Sequence, residues 1–301
     1  MVDLDEFTVT GAALEQMAAT ANPRLKQIMD AAVRHLHDFV REVDLNPEEW
    51  IQGLQFLTAV GAACNPIRQE FILLSDVLGV SAVVNALHDR KAKELGSQSS
   101  LLGPFFREGA PELPMGAHIV EAPTAEDIVI HGRIADTHGA PIAGALIQVW
   151  QTSEHGLYDL RERDGGAMDM RGSFRTGPDG LYHFRTVRPK GYSIPMDGPV
   201  GALVQSQGRH GMRPSHIHLL IGAADHRELV TALYFGDDDY IGSDTVFGVS
   251  QSLVIDAKAD PACPIPGLRS VRYDFRLAKE APGESGRVGA DPTQFMTKAA
   301  E

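Results

Sequence analysis

Cysteine is nearly missing from this chain. The 301 residues contain two, Cys64 and Cys263, far apart in the sequence. Two such thiols supply neither a disulfide framework nor a thiolate metal site. Basic charge is also short, with 27 Lys and Arg against 40 Asp and Glu and a formal net charge of −13. That balance argues against nucleic acid or an anionic membrane as partner, since either needs a basic face. No uninterrupted apolar run approaches the ~20 residues of a membrane span. The opening Met1-Val2-Asp3-Leu4-Asp5-Glu6 lacks a basic-then-apolar signal region, so a cytoplasmic location is expected. The remainder, 43% hydrophobic and 22% charged, is ordinary for a globular protein of one large domain or two modest ones.

The first third has helical texture. Ile28, Ala32, Leu36, Phe39 and Val43 recur near the helical period after Pro23. Asn46-Pro47-Glu48-Glu49 is a helix start, with a capping residue, a first-turn proline and acids at the positive end of the dipole. Trp50, Leu54 and Leu57 then share a face. Pro66 is expected to open a further helix through Glu70 and Leu74, Gly79 to end or kink it, and 80–87 to continue it. Residues 91–127 look irregular, a linker wrapped on the strand-rich part of the chain. From Ile128 the pattern changes to alternation, with strands expected near 144–150, 181–185, 216–221, 228–235 and 270–276. Many short strands without intervening helices predict a β-sandwich. The expected fold is therefore α+β, mainly β: N-terminal helices over 1–100, a sandwich over 101–280, and a polar tail over 281–301.

Arg213-Pro214-Ser215-His216-Ile217-His218 carries the first chemical signal. Strand side chains alternate, so His216 and His218 point the same way. They are either half of a metal site or a structural pair, and two buried imidazoles without partners would be costly to desolvate. Tyr158, in Leu157-Tyr158-Asp159, and Tyr192, in Gly191-Tyr192-Ser193-Ile194-Pro195, occupy constrained contexts. Two phenolates and two imidazoles suit a hard, oxidised cation such as ferric iron, which can remove a phenol proton that otherwise leaves near pH ~10. Zinc or ferrous iron would more naturally take Cys, His or carboxylate ligands.

In order, Leu157-Tyr158-Asp159, Gly191-Tyr192-Ser193-Ile194-Pro195, Asp197-Gly198-Pro199, Arg213-Pro214 and His216-Ile217-His218 resemble the intradiol ring-cleaving dioxygenases. Phe71-Ile72-Leu73-Leu74-Ser75-Asp76, Leu101-Leu102-Gly103-Pro104-Phe105-Phe106 and Met170-Arg171-Gly172-Ser173-Phe174 are similar to the hydroxyquinol-cleaving subgroup, with the catechol-cleaving subgroup next. The resemblance runs from about residue 5 to about residue 279. It implies one Fe(3+) per chain held by Tyr158, Tyr192, His216 and His218. It further implies a small aromatic diol or triol and O2 as substrates, cleaved between adjacent ring hydroxyls. Tyr192 would be displaced by the diol and take one of its protons. Arg213 would lie beside the ring and stabilise negative charge there; the bland alternative is a surface ion pair. Asp76 would accept a hydrogen bond from a third hydroxyl, or else is only a helix cap. Leu73, Leu101, Gly103, Pro104, Phe105 and Ile194 would wall the ring, or are ordinary core. The N-terminal helices would form a homodimer, and in relatives they can hold a phospholipid. One departure stands out: Ala232 and Leu233 fall where relatives often carry Gln or His. Two other readings remain open, a non-catalytic sandwich binding module and a ferrous two-histidine, one-carboxylate enzyme.

Overall fold

A computed structural model describes residues 3–65, 68–91, 96–123, 126–159 and 168–280. Pro66 and the tail from 281 lie outside the described residues. Backbone contacts divide the chain into two compact units, with residues 1–59 in one and 60–288 in the other.

In the first unit, α1 (Thr8–Gln16) is followed by α2 (Pro23–Glu42) and the start of α3 (Pro47–Ala63). Asn22 Oδ1 accepts from the N–H groups of Arg24 and Leu25, with Pro23 at the first helical position. Asn46 Oδ1 accepts from Glu48 and Glu49 N–H, and Glu49 Oε2 accepts from Asn46 N–H, a reciprocal cap that starts α3 where the sequence predicts. The apolar residues of these helices stay open: Leu36, Phe39, Val43, Trp50, Leu54 and Leu57 are all exposed.

The second unit begins with α4 (Glu70–Val77) and α5 (Val80–Lys91), broken at Gly79. By backbone contacts, α4 and α5 belong to the same unit as the sheets. Glu70 explains part of that. Its buried carboxylate accepts from Arg68 Nε at 2.7 Å and from Val200 N–H at 3.1 Å. Val200 lies at the start of α6 (Pro199–Ser206), where a carboxylate meets the positive end of the helix. The described α4 helix starts at Glu70, four residues after Pro66.

The sandwich has two five-stranded sheets. One orders β10 (Lys258–Ala259), β11 (Arg269–Arg272), β1 (Asp127–Asp136) and β12 (Phe275–Leu277), with β4 (Leu181–Val187) also on β1. The other runs β3 (Arg171–Arg175), β2 (Leu146–Gln151), β7 (His216–Gly222), β8 (Leu229–Phe235), β9 (Val254–Ile255). A two-stranded ribbon joins β5 (Tyr192–Ser193) to β6 (Met212–Arg213). Ile130, Phe184, Val271 and Phe275 from the first sheet pack with Ile147, Phe174, Leu219 and Leu233 from the second. The strand expected at 270–276 is two strands. Arg133 N–H takes Asp274 Oδ1 as its acceptor, and the Tyr273 carbonyl accepts from Tyr182 Oη, so the ladder is interrupted at 273–274. The 96–123 segment does wrap on the sandwich, with Leu113 and Ile119 N–H donating to Ser173 and Arg185 carbonyls. Among the described residues no single helix is long and apolar enough to cross a membrane.

Candidate metal centre

The alternation of β7 settles where its histidines go. Ile217, Leu219 and Ile221 enter the core between the sheets. His216 and His218 therefore face the opposite side, and both are buried. His216 Nδ1 lies 2.6 Å from the Pro214 carbonyl. A carbonyl only accepts, so the proton sits on Nδ1 and Nε2 presents a lone pair. That Nε2 stands 3.1 Å from His218 Nε2. Burial, with Arg213 close by, lowers His216 to about 3. Burial holds His218 well below the usual imidazole range, helped by His216 and Arg213. Both rings are thus neutral near pH 7, the form that binds metals. Trp150, opposite His218 in the β2–β7 register, stacks on it at 4.9 Å and 4°.

A loop delivers Tyr158 and the short strand β5 delivers Tyr192, and glycine lets them meet. At Gly156, φ is +82°, and a side chain there would come within 2.9 Å of the Gly191 carbonyl. At Gly191, a side chain would lie 2.6 Å from the Arg213 carbonyl. The Tyr158 and Tyr192 rings consequently approach edge to face at 5.4 Å, and Tyr192 lies 5.8 Å from His216. The four rings predicted as ligands form one connected cluster. Tyr158 Oη is buried with no hydrogen-bond partner. Burial first, then the neighbouring Tyr192, pushes its pKa well above the usual phenol value, while Arg213 and Arg171 pull it back. An orphaned buried hydroxyl costs ~1–3 kcal/mol unless something answers it. Two lone-pair imidazoles and a partnerless phenol oxygen fit a hard cation. Among the described residues no group of three His, Cys, Asp or Glu could hold a metal.

Arg213 joins the cluster although strand parity alone would send it to the far face. It lies on β6, and Pro214 separates it from β7. Its Nη1 stands 3.4 Å from Tyr192 Oη, and the guanidinium is buried. Burial works against that charge, but Asp244, Tyr192 and Tyr234 raise its pKa well above the ordinary arginine value. The surface ion-pair alternative falls away. Asp76 is buried in the last turn of α4, the end where a helix dipole disfavours a carboxylate, so capping does not explain it. Burial raises its pKa, and the Ser81 hydroxyl and Arg213 oppose that.

Among the expected wall residues, Phe105 stacks on Tyr158 at 4.4 Å and meets Tyr192 edge-on at 5.9 Å. Gly103 lies against the His218 ring, and Leu101 is buried. Leu73 and Ile194 are buried and Pro104 is half-buried. In the chain, Leu73 lies one turn before Asp76, Ile194 two residues after Tyr192 and Pro104 beside Phe105. Ala232 pairs across from His218 and is fully buried, so a methyl group stands beside that ring.

Several residues escaped the sequence reading. Behind Tyr158, Asp159 accepts two hydrogen bonds from Arg171, at 2.7 and 2.6 Å, and one from Arg107 at 3.1 Å. Burial opposes ionisation of Asp159, but Arg171 and Arg107 hold its pKa below the usual carboxylate value. Tyr234 stacks obliquely on His216 at 5.4 Å, and Asp244 pairs with Arg213. Twelve and 31 residues separate the charged partners Asp159–Arg171 and Arg213–Asp244, spacings that no local motif marks. The large cavities of about 540 and 580 Å³ are lined by none of the four rings.

The face of the second sheet turned away from the core thus gathers two histidines, two tyrosines and an arginine, all buried, a donor set of the class that suits a hard cation. The family model described as "Dioxygenase" matches residues 102–279, and "Catechol dioxygenase N terminus" matches 22–96. A hydroxyquinol 1,2-dioxygenase of Rhizobium sp. is 47% identical over 81% of this chain and 82% of its own length. A 6-chlorohydroxyquinol 1,2-dioxygenase of Cupriavidus pinatubonensis is 43% identical over 92% and 99%. The crystal structure of hydroxyquinol 1,2-dioxygenase from Pseudomonas putida superposes with a TM-score of 0.83 at 39% identity, covering 91% of this chain and 99% of that one. The chain belongs to the intradiol ring-cleaving dioxygenases, an iron-using enzyme family.

Proposed function

We propose that this enzyme cleaves hydroxyquinol (1,2,4-trihydroxybenzene) with O2 to 3-hydroxy-cis,cis-muconate, which tautomerises to maleylacetate. The observation that carries the reading is the convergence of Tyr158, Tyr192, His216 and His218 on one buried point. These four residues would hold one Fe(3+) per chain. The ion would supply Lewis acidity toward the two adjacent ring hydroxyls. Tyr192 Oη is placed to take a diol proton, with Arg213 Nη1 beside it to steady the resulting negative charge. Phe105, Leu101 and Ile194 keep the ring dry and flat, and buried Asp76 offers an acceptor for a third hydroxyl. A pocket built to bond a hydroxyl discriminates against a ring without one. The similar proteins named for hydroxyquinol and 6-chlorohydroxyquinol support the same substrate class.

The exposed apolar row on α2 and α3 supports a homodimer formed through the N-terminal helices, which would make them the dimerisation domain. A phospholipid could be held on the same apolar helices; solvent extraction and mass spectrometry of the purified protein would test that separately. For the enzyme itself, metal analysis should find about one iron per chain, with a visible phenolate-to-iron absorption band. Specificity constants should favour hydroxyquinol over catechol. Zinc in place of iron, or a colourless active protein, overturns the centre. Equal constants for the two substrates would shift the assignment to a catechol 1,2-dioxygenase.

A further inference from the structure

Arg213 does not sit free in its pocket. Asp244 Oδ1 accepts from Arg213 Nε at 3.2 Å, and Oδ2 accepts from Nη2 at 3.4 Å. Nη2 also lies 3.3 Å from Tyr234 Oη. Proton counting sets the direction of the bond between Tyr234 and Ser100. Ser100 Oγ donates its only proton to the Gly248 carbonyl at 3.0 Å. The 2.8 Å contact between Tyr234 Oη and Ser100 Oγ must then be donated by Tyr234, whose lone pairs remain to accept from Arg213. The same Asp244 carboxylate closes its own loop, accepting from Gly248 N–H at 3.0 Å and Val246 N–H at 3.4 Å. With Nε and Nη2 held this way, Nη1 is the end turned toward Tyr192 Oη.

The loop is shaped for this purpose. Phe247 is left-handed, with φ +59°, a conformation that non-glycine residues seldom adopt. A side chain on Gly248 would stand 2.6 Å from Tyr234 Oη and 3.0 Å from both Arg213 Nη2 and Asp244 Oδ2. From outside, Arg209 ties the Thr245 carbonyl, at 2.7 Å, to the Val77 carbonyl at the end of α4, at 2.9 Å. That is the helix whose last turn carries Asp76.

We infer that Asp244 is a positioning residue for ring cleavage: with Tyr234 and the glycine at 248 it forms a cradle that fixes where Arg213 places its charge. The inference rests on the reading of Arg213 as the group that stabilises negative charge on the ring. Small misplacements of a catalytic group cost rate, by as much as ~100-fold for an ångström.

The test is a double-mutant cycle on the iron-loaded enzyme, with kcat and KM measured separately. Asp244→Asn should lower kcat about ten-fold or more, with KM little changed, because the arginine is shifted and not removed. Iron content and colour should stay at wild-type levels, since Asp244 is none of the four candidate ligands. In an Arg213→Leu background the same change should have no further effect on kcat. Gly248→Ala gives a second arm, crowding the guanidinium without removing the buried counter-charge, and should behave alike. Undiminished kcat in Asp244→Asn or Gly248→Ala, or equal losses in both backgrounds, overturns the positioning role. If Arg213→Leu alone leaves kcat intact, the underlying reading of Arg213 fails, and the cradle's role with it.

Discussion

Removing the metal and lowering the pH should unfold this protein through His216. The unfolded imidazole titrates near ~6.5, whereas burial lowers the folded ring to about 3. Between those values the unfolded chain binds a proton that the native chain refuses, so native stability falls as pH falls. Each unit inside that window amounts to ~1.4 kcal/mol. From pH 7 to pH 5, allowing for the part of the titration already under way at pH 7, His216 alone should remove ~2 kcal/mol. His218 is shifted the same way and adds a loss of the same sign. The assay is urea unfolding of the metal-free protein at pH 7 and pH 5, repeated for His216→Gln. Two other histidines, buried His131 and half-buried His183, also have lowered pKa values and contribute to both proteins. The difference between wild type and variant therefore isolates His216. With m near ~2–3 kcal/mol/M for a chain of this length, the excess midpoint shift should approach ~1 M urea. An identical pH dependence in the two proteins would refute the claim that a neutral, buried His216 is built into the fold. Iron-loaded protein should show a flatter curve until protons displace the metal.

Two further outcomes follow from the same geometry. Tyr158→Phe deletes an oxygen with no hydrogen-bond partner, so the metal-free protein should be unchanged or more stable by up to ~1–3 kcal/mol, while iron binding and colour are lost; a destabilised apoprotein in thermal melts would contradict the orphan. Asp76→Ala should narrow the preference for hydroxyquinol over catechol by ~1–3 kcal/mol in specificity constants, and an unchanged ratio would remove Asp76 from substrate recognition.

Much of the architecture was legible because it is written locally. The start after Pro23, the cap at Asn46, the break at Gly79 and the alternation of β7 and β8 depend on residues a few positions apart. Short elements were not legible. The α6 helix spans eight residues behind a glycine with no side-chain cap, and β3 reads Arg-Gly-Ser-Phe-Arg, too short and too polar to show a period. The 270–276 run looked continuous because the interruption is made by Asp274 answering Arg133 from another strand.

The sequence by itself determined the chemistry on offer: two histidines on one strand face, two tyrosines shortly after glycines, and an arginine just ahead of the strand. Those assignments need only side-chain type and backbone period, which are properties of neighbouring residues. Tertiary structure alone decided the electrostatics. Asp244 stands 31 positions from Arg213, Asp159 meets Arg171 twelve positions away, and Arg213 faces Tyr192 against strand parity. Counter-charges act through space and burial, and sequence separation carries no trace of either.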